Sequence, residues 1–77
     1  MDTNLASLTW GAAIKTARQD LGLSRAQLAI DVGVTASMVG MWETGKHAPS
    51  PRAQAVLRER LGLDLNAIAD AIRKAAA

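Results

Sequence analysis

Apolar and polar positions alternate with a helical period along most of this chain, in five segments separated by glycine, proline and short polar stretches. The first runs from about Leu8 or Thr9 to Asp20 or Leu21. Trp10, Ala13, Ile14, Ala17 and Leu21 form one apolar stripe, with Lys15, Arg18 and Gln19 elsewhere on the circumference. Gly22 suits a left-handed stop. Ser24 and Thr35 each carry the short oxygen-bearing side chain that caps a helix start. After Ser24 comes a segment with Leu28, Ala29 and Val32 in step; after Thr35, one with Val39 and Trp42 in step. Gly45 and Pro49 end the third segment, and Ser50-Pro51 opens a fourth with a cap followed by a first-turn proline. Its core face is Ala53, Val56, Leu57 and Leu61, and Gly62 closes it. Asp64 caps a fifth segment reaching about Lys74, where Leu65, Ile68, Ala69 and Ile72 share a face. The residues Met1 to Ser7 and Ala75 to Ala77 are expected to fray. No segment reads as a strand and no linker divides the chain. The pattern predicts an all-α, compact five-helix domain spanning residues 1–77.

The second and third segments, about residues 24–44, form the most informative unit. Two short helices meet across Gly33, where a left-handed backbone lets the chain turn sharply. That is helix-turn-helix geometry, in which the second helix can lie in a DNA major groove. With Val39 and Trp42 turned to the core, the third helix presents Ala36, Ser37, Met38 and Met41 outward as the base-facing set. Ser37 offers one hydrogen bond, while Ala36 and Met41 suit contact with thymine methyl groups. None is a bidentate donor. Gly40, in mid-helix, costs about 1 kcal/mol relative to alanine and permits close approach to DNA. Arg25 at the start of the second helix and Lys46 beside Gly45 are phosphate anchors, with Thr35, Arg52 and Lys15 as further candidates.

Length and composition set bounds on this reading. Seventy-seven residues make one small domain with a limited core. The absence of cysteine removes disulfides and thiolate zinc sites, and His47 is the single histidine, in a loop beside Lys46. No metal site and no cofactor is expected. Ser24, Ser37 and Ser50 stand at or near helix starts, where capping or DNA contact explains them better than nucleophilic catalysis. The six glycines are scattered along the chain rather than gathered into a phosphate-cradling loop. No enzymatic activity is expected. No apolar run approaches the ~20 residues of a membrane span, and Met1-Asp2-Thr3-Asn4 lacks the basic start of a signal peptide. The expected location is the bacterial cytoplasm, at the nucleoid. The formal charge of +2 is permissive but decides nothing.

From Trp10-Gly11 to about Leu63 the chain resembles the helix-turn-helix domain of the phage repressor/Cro family, also called the XRE family. The resemblance is carried by Ile14 and Arg18, Gly22-Leu23-Ser24, Leu28-Ala29, Gly33-Val34-Thr35, Val39, Trp42-Glu43-x-Gly45-Lys46 and Pro49-Ser50, in that order. It implies a five-helix domain whose third helix is the recognition helix, with the start of the second touching phosphates, working as a homodimer. It also implies a structural ion pair between Arg18 and Glu43; the plain alternative is two solvated charges. The family's recognition positions often hold glutamine, asparagine or arginine, which the small and apolar residues here do not match.

The reading that results is a transcription regulator that binds double-stranded DNA in a sequence-dependent way, as a repressor occluding a promoter. Leu65, Ile68 and Ile72, on a dimerisation helix at about residues 64–74, are the candidate subunit interface, unless that stripe completes the core. The rival is an antitoxin or adaptor that binds a protein partner first and DNA for autoregulation, using the fifth helix or the exposed Ile30 side. A metal- or nucleotide-dependent enzyme would need ligands this chain lacks.

Overall fold

The computed structural model describes residues 5–76, and side-chain surroundings for residues 10–71, 73 and 74. Five helices follow one another: α1 Leu5–Asp20, α2 Arg25–Val32, α3 Ala36–Glu43, α4 Pro51–Leu61 and α5 Leu65–Ala76. There is no strand among the described residues. α1 starts earlier than the apolar stripe indicates, because Leu5, Ala6 and Ser7 contain nothing that breaks a helix. At the other end, Ala75 and Ala76 are helical rather than frayed; Met1–Asn4 and Ala77 lie outside the described residues.

The starts are built by local hydrogen bonds. Ser24 Oγ accepts from the Gln27 amide at 3.1 Å while Gln27 Oε1 accepts from the Ser24 amide at 2.7 Å, a reciprocal capping box. Thr35 Oγ1 accepts from the Met38 amide, Ser50 Oγ from the Ala53 amide and Asp64 Oδ1 from the Ala67 amide. Between α2 and α3, Gly33 takes φ +83°, and its amide and that of Val34 both donate to the Ala29 carbonyl. A Cβ-bearing residue is strained there, so glycine sets the turn.

The core is one cluster: Trp10 and Ile14 from α1, Leu28, Ala29 and Val32 from α2, Val39 and Trp42 from α3, Ala53 and Leu57 from α4, and Leu65 from α5. α2 packs mainly on α3, and α1 lies between α3 and α5. The contact of α1 with α3 is close because Gly11 faces the end of α3: a Cβ at residue 11 would stand 2.6 Å from the Trp42 carbonyl oxygen and 2.7 Å from that of Glu43. Leu21 departs from its expected place in the α1 stripe and is 54% exposed at the C-terminal end of α1. Among the described residues, no helix is long and apolar enough to cross a membrane.

Candidate nucleic-acid interface

The eight residues of α3 divide cleanly between two sides. Val39, Trp42 and Glu43 are buried. Ser37, Gly40, Met41 and Thr44 recur at intervals of three and four, so they lie on one outward stripe. With Ala36, Arg25 from the start of α2 and Lys46 from the loop after α3, they line a shallow open groove. Thr44 is an addition to the expected set. Its hydroxyl donates back to the Gly40 carbonyl at 3.0 Å.

Met38, of the expected base-facing set, is half-buried against the core and lines a second depression with Trp42 and His47, not the groove. The reason is helical spacing: Met38 is one turn before Trp42, so the two occupy the same side of α3. Ala36, Ser37 and Met41 remain on the groove.

Behind the groove lies a charged network. The Glu43 carboxylate is only 1% exposed and accepts from Arg18 Nε at 2.6 Å and Arg18 Nη2 at 3.3 Å. Arg18 Nη1 also donates to the Leu23 carbonyl at 2.7 Å, so this one guanidinium ties α1 to α3 and to the turn before α2. The same carboxylate accepts from Arg25 Nε at 3.1 Å. Two guanidinium groups around one carboxylate leave a net positive charge, and Arg25, with 47% of its side chain exposed, carries it toward the groove. Spacing along the chain gives no sign of the Arg25–Glu43 contact, which joins residues on different helices.

The other anticipated residues fall in different places. Thr35 is exposed at the start of α3 and caps it; Lys46 is exposed and lines the groove. Arg52 lies outside the groove and donates through Nη2 to the Val32 carbonyl at 3.0 Å, satisfying the end of α2. Lys15 is exposed on α1. A further interhelical pair, Arg60 with Asp31 at 2.6 Å, joins α4 to α2, and the pattern of the chain gives no sign of it. Leu65 of the proposed subunit interface is buried in the chain's own core and Ile68 packs half-buried against it, because α5 is needed to cover α1. The Ile72 side chain lies outside the described residues. Among the described residues no group of three or more His, Cys, Asp or Glu could hold a metal ion.

No curated protein and no solved structure matches the chain. The family described as a helix-turn-helix domain matches residues 10–71, which takes in everything from the buried Trp10 through most of α5. With α2, the Gly33 turn and the groove-bearing α3 arranged as above, the chain belongs to the helix-turn-helix domain family, of the XRE-like kind.

Proposed function

We propose that this domain binds double-stranded DNA through α3 in a sequence-dependent way and regulates transcription as a repressor, by occluding a promoter. The observation that carries the reading is the groove: an outward stripe of Ser37, Gly40, Met41 and Thr44, lined also by the cationic Arg25 and Lys46. Small and apolar residues let the helix sit deep against base edges, and cations beside them draw the polyanion in. Thr35, at the helix start, adds a hydroxyl toward the backbone. Blocking polymerase in this way requires no cofactor and no chemistry.

An eight-residue recognition helix is about 12 Å long and so covers about four base pairs, too few to mark a promoter. Two copies on a twofold site, with reading helices about 34 Å apart, double the sequence read. The proposed twofold contact is on α5, where Ile68 is only partly buried after Leu65 has been taken into the core. The rival reading, a protein partner first and DNA second, has Ile30 in its favour, 78% exposed on α2. Single exposed apolar residues are ordinary on small domains, so this supports less than the groove does.

Selection of bound duplexes from random DNA tests the proposal. An enriched inverted repeat is expected. Met41→Gln is expected to add a preference for adenine, whose edge glutamine bonds twice, and Ser37→Ala to relax preference at one or two base pairs. Identical sequences selected by the parent and both variants would remove α3 as the reading element and put the protein-partner reading first.

A further inference from the structure

We propose that Arg25 is a base-reading residue, selecting guanine from a position over the middle of α3, and that Glu43 is the positioning residue that aims it. The inference rests on the DNA-binding reading of the groove and deepens it. It also revises the expectation that Arg25 only anchors a phosphate.

Three observations lead there. The first is location. A Cβ at Gly40 would have Arg25 Nη1 as its nearest neighbour, at 3.5 Å. The guanidinium therefore lies over the one position of α3 with no side chain, among the reading residues rather than at the rim. The second is restraint. The Nε–H is held by a carboxylate that is itself 1% exposed and fixed from behind by Arg18. A phosphate anchor needs only charge, which Glu43 partly cancels, whereas a base reader needs an aimed fork. With Nε committed, the Nη1/Nη2 edge still has the two parallel N–H donors that match guanine O6 and N7. The third is what the groove otherwise lacks. Ala36, Ser37, Gly40, Met41 and Thr44 offer no bidentate donor, so Arg25 supplies from α2 the group that α3 does not carry.

The test uses the whole chain and compares sites selected by the parent, Arg25→Lys, Arg25→Ala and Glu43→Gln, with circular dichroism confirming that each is folded. The parent is expected to require guanine at one base pair per half-site. Replacing that guanine by 7-deazaguanine, which lacks N7, is expected to weaken parent binding and to leave Arg25→Ala unaffected. Arg25→Lys keeps the charge and hence the salt dependence, whereas Arg25→Ala removes every donor, and discrimination at that pair is expected to fall by roughly 5- to 150-fold, the worth of one bidentate contact. Glu43→Gln is expected to lower discrimination at the same pair while the preferences set by Ser37 and Met41 persist, an effect that a merely structural role would not confine to one pair. If Glu43→Gln fails to fold, the 7-deazaguanine comparison between parent and Arg25→Ala decides alone. Enrichment of one site by parent and Arg25→Ala with equal preference at every pair overturns the inference while leaving the DNA-binding reading intact. A parent that binds no DNA overturns both.

Discussion

Gly11→Ala offers the sharpest check on how this domain is packed, because helix propensity and tertiary contact predict opposite outcomes. Residue 11 is inside α1, where alanine is favoured over glycine by about 1 kcal/mol. In the folded chain, however, the added Cβ meets two backbone carbonyl oxygens, at 2.6 and 2.7 Å. Backbone atoms cannot rotate aside as a flexible side chain can, so α1 and the end of α3 have to part by about 0.5 Å, enough to forfeit roughly a quarter of the dispersion well of the affected contacts. Overpacking of this kind costs about 1–3 kcal/mol. The displaced Trp42 carbonyl also accepts the Gly45 amide at 3.1 Å, and weakening that bond adds about 1 kcal/mol. After subtracting the propensity gain, the net loss is about 1–3 kcal/mol. For a domain of this size that lowers Tm by roughly 5–20 °C. Trp10 and Trp42, the only aromatic residues, flank the contact, so fluorescence during urea denaturation reports on it directly. Gly40→Ala is the control: its Cβ meets only the Arg25 guanidinium, with Nη1 nearest at an ordinary 3.5 Å, and a gain of about 1 kcal/mol is expected. A Gly11→Ala protein as stable as the parent would refute the reasoning.

Further tests address the network, the charges and assembly. Removing Glu43 leaves the buried Arg18 guanidinium without a counter-charge and is expected to destabilise by about 3–5 kcal/mol, whereas removing Arg18 leaves Glu43 its contact with Arg25 and is expected to cost less; a double-mutant cycle is expected to show coupling of at least about 1 kcal/mol, and strict additivity would mean the pair is energetically idle. DNA affinity is expected to fall with salt, with a log–log slope near 0.9 per phosphate neutralised; Lys46→Ala is expected to reduce that slope by about one without changing the selected sequence, and an unchanged slope would remove Lys46 from the interface. On α5, Leu65→Asp is expected to prevent folding, which circular dichroism would show, because that side chain is in the core. Ile68→Asp is expected to remain helical and lose self-association in sedimentation; a parent monomeric at high micromolar concentration, free and on DNA, would refute the twofold contact.

The sequence by itself determined the elements and their ends. Capping acts over three or four residues, so Ser24 with Gln27, Thr35, Ser50-Pro51 and Asp64 announce helix starts wherever they occur, and Gly33 announces the turn. The 3.6-residue period likewise marks Ile14, Leu28, Val32, Val39, Trp42 and Leu57 as core, since each needs only to face inward, whatever it meets there. Arg18 and Glu43 became a pair through family resemblance, not spacing. Only the tertiary structure decided what meets what. It placed Met38 beside Trp42 and not in the groove, left Leu21 exposed at the end of α1, used Leu65 for the chain's own core and brought Arg60 to Asp31. It also made Gly11 a contact point and laid Arg25 across Gly40 under the hold of Glu43. Local rules fix which side of a helix is apolar. Which side chain a neighbouring helix presents depends on how residues tens of positions apart pack, and that information is not carried by any short window of the chain.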